Sequence, residues 1–263
     1  MTDHVLTQKS NGVLTLTLNR PEKKNALTQA MYQRLGDAIS AAGDQDARCI
    51  LLEAAGDTFT AGNDLSDFAA INRDAQAGGG AERHTNPLLA ALARTTIPVV
   101  AAVQGRAVGI GTTMLLHCDL VFLADNALLT TPFVNLALVP EAASSLLLPA
   151  RIGHVRAFSM FVLGEAVNAT TAFEWGLANA SCLRHELHDR ARSAAEAIAA
   201  RPFSAVVRTK TLMRDVALLA ARMETEGQHF AAQLASPEAR EAFAAFAEKR
   251  PPDFTRAAVR QAT

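Results

Sequence analysis

Ile97-Pro98-Val99-Val100-Ala101-Ala102-Val103-Gln104-Gly105-Arg106-Ala107-Val108-Gly109-Ile110-Gly111-Thr112-Thr113 is the stretch on which the fold turns. Its first half, Pro98 to Val103, is an unbroken apolar run rich in β-branched residues, the pattern of a strand buried on both faces. The second half places three glycines where that strand gives way to a short helix. The spacing superficially resembles a dinucleotide loop, but the third glycine of GxGxxG falls on Met114 and no acidic residue follows at the required distance on a strand.

Working outward, the same alternation of strand and helix fills the first part of the chain. Val13 to Leu18 alternates apolar and polar residues and predicts a half-buried strand ended by Asn19-Arg20-Pro21. Met31, Leu35, Ala38, Ile39 and Ala42 recur at three and four, which predicts a helix over 28–42. Cys49 to Leu52 and Asp119 to Leu123 read as further strands. Residues 73–80, with the triplet Gly78-Gly79-Gly80, read as a flexible surface connection rather than a domain linker. After about residue 150 only helices are expected: 155–163, 171–176, 186–200, a long stretch to Leu234, and 237–249. Thr171 with Glu174 suits a capping box and Gly176 a helix stop; Ser236 and Pro237 suit an N-cap and first turn.

The chain has 263 residues, 49% hydrophobic and 19% charged, with 25 Lys+Arg against 26 Asp+Glu, so no basic surface speaks for a nucleic-acid partner. Cys49, Cys118 and Cys182 are too dispersed for a CxxC site or a disulfide framework. Of the seven histidines only His185 and His188 stand at metal spacing, in a turn that reads as solvated surface. GxxxxGK[ST], GxSxG and SxxK are all missing from the sequence. There is no basic n-region with an apolar stretch behind Met1 and no apolar run of membrane length, so a cytoplasmic location without a membrane partner is expected.

Two loops share one property. Phe59-Thr60-Ala61-Gly62-Asn63-Asp64-Leu65 and Gly105 to Thr113 each put small residues where a strand passes into a helix, so that unpaired backbone N–H groups converge. Two such groups aimed at one point make an oxyanion hole. Taken singly, each loop is also explained by glycines that merely permit a tight turn.

Together with Asn19 to Leu27, Cys118-Asp119 and the Pro-Glu-Ala-Ala-Ser-Ser run from Pro140, these loops give the chain a resemblance, over essentially its whole length, to the crotonase or enoyl-CoA hydratase/isomerase superfamily. The resemblance implies an α/β fold: a ββα spiral acyl-CoA-binding core over residues 1–195, then a helical oligomerisation region over 196–263. It implies a homotrimer or a dimer of trimers, for which the apolar positions Phe230, Leu234, Phe243 and Phe246 of the tail also speak. The implied substrate is an acyl-CoA thioester, with coenzyme A part of the substrate and no separate cofactor or metal. The amides of Asn63 and Ile110 would hold the thioester oxygen. Lys24, Ala26, Ala61, Asp64, Leu65 and Ser66 would contact coenzyme A, and Lys249 would reach a neighbouring subunit's ligand.

In the hydratase branch two glutamates carry the chemistry, and their places fall here on Thr113 and Phe133, neither of which can deliver a proton as a carboxyl does. An acid stands instead at Glu141, in a run similar to the peroxisomal type of Δ3,Δ2-enoyl-CoA isomerase. It is the only charged residue between Asp125 and Arg151, and a carboxylate isolated among apolar residues should have a raised pKa. The expected activity is therefore movement of a 3-enoyl-CoA double bond to position 2. Hydration, with Glu141 assisted by an acid such as Asp64, and acyl-CoA binding without turnover are the alternatives.

Overall fold

A computed structural model of the protein describes residues 3–64 and 86–255. The connection expected over 73–80, and the proposed contacts Leu65 and Ser66, lie outside the described residues. Nine strands are described: β1 (Val5–Ser10), β2 (Val13–Leu18), β3 (Cys49–Ala54), β4 (Val99–Val103), β5 (Arg106–Val108), β6 (Leu120–Ala124), β7 (Leu128–Thr130), β8 (Val167–Asn168) and β9 (Ala180–Cys182). Six form one sheet in the order β1-β2-β3-β4-β6-β9, parallel except for β1, while β5, β7 and β8 form a second, smaller sheet. The antiparallel β1-β2 hairpin turns at Asn11-Gly12, both at positive φ, the geometry that an Asn-Gly pair adopts most readily.

β2 is more deeply buried than its alternation predicts. Leu14, Leu16 and Leu18 face the main core with Leu35 and Ile39 of the helix Gln29–Ser40, whereas Val13 joins Cys49, Leu51, Val100 and Ala102 on the opposite face. That face is covered by Ala191, Ala195 and Ala199 of the helix Leu187–Ala199. Thr15, at 4% exposure, is thus inside rather than on a solvated side. The division expected at residue 195 falls within this helix, which ends at Ala199 before the next one starts at Phe203.

After it come the helices Phe203–Leu212, Val216–Leu234 and Pro237–Ala247. The long stretch expected to run to Leu234 is therefore two helices, the second capped by Asp215 on the Leu218 amide at 2.9 Å. Ser236 caps the last helix as predicted, accepting from the Ala239 amide at 3.0 Å. At 169–174 the cap is Asn168, which accepts from the Thr171 amide, so Thr171 lies inside the helix rather than before it. Gly176, at φ +82, ends it as expected.

Lys210 ties the helical region to the sheet. Its Nζ donates to the Ile97 carbonyl at 2.7 Å and to Asp119 Oδ2 at 2.8 Å, and that same carboxylate accepts from the Val99 amide at 2.7 Å. Asp119 therefore closes the entrance to β4 and anchors a helix at once. The three cysteines are free and buried, and no helix among the described residues is long and apolar enough to cross a membrane.

Candidate active site

The two glycine loops lie side by side because side chains are missing where their backbones meet. A Cβ at Gly105 would lie 2.0 Å from the Asp57 carbonyl oxygen, and one at Gly111 would lie 2.5 Å from Thr60 Cγ2. Ladder hydrogen bonds join the strips directly: the Thr60 amide donates to the Arg106 carbonyl at 3.0 Å, and the Val108 amide to the Thr60 carbonyl at 3.1 Å.

Leaving this contact, Asn63 forms a parallel bridge with Leu27. In that bridge Leu27 donates to the Gly62 carbonyl at 2.8 Å and accepts from the Asp64 amide at 2.9 Å, so the intervening Asn63 amide points away from Leu27. The Asn63 side chain is held in turn, its Oδ1 accepting from the hydroxyl of Tyr32, a fully buried residue. On the other strip Gly109 adopts φ 57 and ψ −115, a conformation essentially closed to other residues, and its carbonyl accepts from the Thr112 and Thr113 amides. Ile110 opens the short helix Ile110–Thr113, and the amide at such a position has no partner inside its own helix. Among the described residues neither the Asn63 nor the Ile110 amide hydrogen has an acceptor.

Both residues line one cavity of about 740 Å³. Ala26, Ala61 and Asp64 line it too, so five of the positions expected from the sequence come together. Asp64 is bound to Arg20 at 2.6 Å, both side chains being about seven-eighths buried, and Arg20 also donates to the Ala26 carbonyl at 3.1 Å. This pairing ties the turn that carries Ala26 to the loop that carries Asp64 and engages the carboxylate on which the hydration alternative relied.

Other expected positions stand elsewhere. Lys24 is paired with Asp57 at 2.9 Å on the surface, and the lysine of this turn that lines the cavity is Lys23. Lys249 is exposed beyond the last helix and outside the lining. Phe230 and Phe243, assigned from the sequence to subunit contacts, pack against this chain's own core and, with Phe246 and Phe254, wall the cavity; Leu234 is buried in that core. The periodicity that marks them as an apolar face does not say whether a face meets a partner or a ligand.

Of the two hydratase positions, Phe133 lines the cavity and packs its ring 6.2 Å from that of Phe161. Thr113 is fully buried outside the lining. Glu141 also lies outside the lining, on the segment that follows Leu138 of its wall. The residue as a whole is half-buried, but its Oε1 is sealed and has no hydrogen-bond partner. Burial, and secondarily the charge of Glu226, pushes the Glu141 carboxyl up to about 7. A carboxyl in that range both accepts and returns a proton near neutrality.

The comparisons with known proteins agree with this arrangement. A model of the family described as enoyl-CoA hydratase/isomerase matches residues 8–257. The chain is 34% identical to 1,2-epoxyphenylacetyl-CoA isomerase of Escherichia coli, over 97% of this chain and 99% of that protein. It is 37% identical to enoyl-CoA delta isomerase 2 of Rattus norvegicus, over 66% of this chain and 44% of that one. A crystal structure of an enoyl-CoA hydratase/isomerase from Pseudoalteromonas atlantica superimposes with a TM-score of 0.87 at 40% identity, covering 95% of this chain and 99% of the other. The paired glycine loops, the apolar cavity between them and a match running almost from end to end converge on one conclusion: the chain belongs to the enoyl-CoA hydratase/isomerase family.

Proposed function

We propose that the protein moves the double bond of a 3-enoyl-CoA to position 2 by a single-carboxylate proton transfer. Glu141 takes a proton from C2, the electron pair spreads over the thioester oxygen and the former double bond, and Glu141 returns the proton at C4. The amides of Asn63 and Ile110 meet the oxygen on which charge accumulates, where each preorganised donor contributes about 3 kcal/mol. No water enters the balance, in keeping with Phe133 standing at the cavity wall where a hydratase would carry an acid.

One observation carries this reading: Glu141 is a carboxyl with a sealed, partnerless oxygen and a pKa raised to about 7, on the segment that follows Leu138 in the wall of an apolar cavity also lined by Asn63 and Ile110, whose amides have no acceptor among the described residues. The names of the Escherichia coli and Rattus norvegicus relatives, each an isomerase of a CoA thioester, support it further. Turnover of 3-enoyl-CoA thioesters of varied length is the test. Glu141→Gln should lower kcat by about 10²- to 10⁴-fold, and the parent should hydrate 2-enoyl-CoA little or not at all. Undiminished isomerisation by that variant, or efficient hydration of crotonyl-CoA by the parent, overturns the reading.

The protein is further proposed to act as a trimer or a dimer of trimers. The support is apolar surface outside the cavity: Leu212 and Met213 are 88% and 83% exposed at the bend between two helices, and Val155 is 80% exposed. A stable 27.9 kDa species in sedimentation equilibrium at micromolar concentration contradicts it.

A further inference from the structure

The turn that carries Glu141 is unusual in its backbone. Ala142 and Ala143 follow one another at φ 66 and φ 52, both left-handed and neither a glycine, a conformation that costs about 1 kcal/mol or more at each residue. The helix that starts here, Ser144–Ile152, has Ala143 at its N-cap, a residue whose methyl side chain offers no acceptor to the first amides. Something outside the segment must hold it.

Two groups do. Glu226, from the middle of the helix Val216–Leu234, accepts from the Ala143 amide at 2.6 Å through Oε2 and from the Ser145 amide at 2.9 Å through Oε1. His117 Nε2 donates to the Ala142 carbonyl at 2.8 Å. Glu226 is only 6% exposed and His117 is fully buried.

We propose that Glu226 is a positioning residue for Glu141: as a remote N-cap it fixes the left-handed turn from which Glu141 projects, and it sets a fixed negative charge against that carboxyl. The proposal rests on the reading of Glu141 as the base. Glu226 has what Glu141 lacks, two amide donors and the positive end of a helix, so of the pair Glu226 keeps the charge and Glu141 keeps the proton. The surrounding charges leave this order intact. Burial pushes the Glu226 carboxyl up as well, but the bonds from Ser145 and Ala143 and the charge of Arg222 on the same helix oppose that rise, whereas at Glu141 burial and the Glu226 charge both push upward. His117 is neutral, burial pushing its pKa down to about 4. Arg151 and Arg214 are engaged by the carbonyls of Leu116 and His117.

Glu226→Gln removes the charge and one of the two acceptors, while Glu226→Asp keeps the charge but shortens the reach. Two readouts are taken for each: the titration of the Glu141 carboxyl by isotope-edited infrared spectroscopy without substrate, assigned by its loss in Glu141→Gln, and the pH profile of kcat. In Glu226→Gln the Glu141 midpoint and the acidic limb of kcat should both move to lower pH, and kcat on the plateau should fall between about tenfold and a hundredfold as the turn shifts. In Glu226→Asp the midpoint should stay near the parent's while the plateau falls. A folded Glu226→Gln whose midpoint and plateau match the parent's overturns the proposal. If that variant does not fold, a Glu226→Asp plateau equal to the parent's overturns it instead. Failure of Glu141 as the base shows separately, as full activity in Glu141→Gln, and the substrate-free titration still decides whether Glu226 governs that carboxyl.

Discussion

Gly62 meets Val108 across the two loops so closely that a Cβ on residue 62 would stand 2.9 Å from the Val108 carbonyl oxygen. The contact fixes the spacing between the Asn63 and Ile110 amides, since each lies one or two residues beyond it. Gly62 also holds φ +91, which strains any side-chain-bearing residue. Gly62→Ala is therefore expected to separate the loops, lowering kcat by about a hundredfold while thermal unfolding stays cooperative. Near-normal turnover in this variant would refute the oxyanion assignment.

Tyr32 acts on the same donor from behind. With its hydroxyl bonded to Asn63 Oδ1, it holds the side chain whose backbone amide faces the cavity. Tyr32→Phe should cost about 1 kcal/mol of stability and lower kcat more than it changes KM, as measured by denaturant unfolding and steady-state kinetics. An unchanged kcat with altered KM would give Tyr32 a part in binding instead.

Arg20 and Asp64 form an ion pair largely out of water. Arg20→Ala leaves the Asp64 charge uncompensated and should destabilise the fold by about 3 kcal/mol. An apolar pair, Arg20→Met with Asp64→Leu, should recover much of that loss in equilibrium unfolding while weakening acyl-CoA binding. A double variant no more stable than Arg20→Ala would show that the charge is not the source of the cost.

The raised Glu141 carboxyl makes stability depend on pH with a definite sign. In the unfolded chain it ionises near 4.5, in the fold only at about 7. Below 4.5 both states hold the proton and the group contributes no difference. Between the two values the unfolded state alone gains by ionising, so the relative stability of the fold declines across this window and levels off above it. Glu141→Gln should match the parent's melting temperature near pH 4.5 and exceed it at pH 8. Parallel curves across the whole range would show that the carboxyl titrates normally.

How much of this was legible in the sequence depended on whether the cause was local. The strand Val99–Val103, the cap at Ser236 and the glycines of both loops are each dictated by neighbouring residues, and the structure places them as read. The burial of Thr15 was not legible, because it comes from a helix more than 170 residues further on. Glu226 and His117 were missed for the same reason: an acid in an amphipathic helix and a lone histidine carry no mark until the fold sets them against Ala142 and Ala143. Phe230 and Phe243 were seen as an apolar face and read as subunit contacts, whereas the fold packs them against this chain's own core, since periodicity fixes which side is apolar and not what lies against it.

The cavity wall runs from Lys23 to Phe254, with segments from both loops and the last helix between them. A ribosome building this chain releases Asn63 and Ile110 long before it releases Phe243, Phe246 and Phe254. Until those aromatic rings arrive, the pocket lacks a side and the nascent polypeptide has no enclosed place for an acyl chain. The cavity therefore depends on contacts between residues more than 200 apart in the chain, of the kind that slow folding. Competence to bind thus waits on the segment that carries Phe243, Phe246 and Phe254.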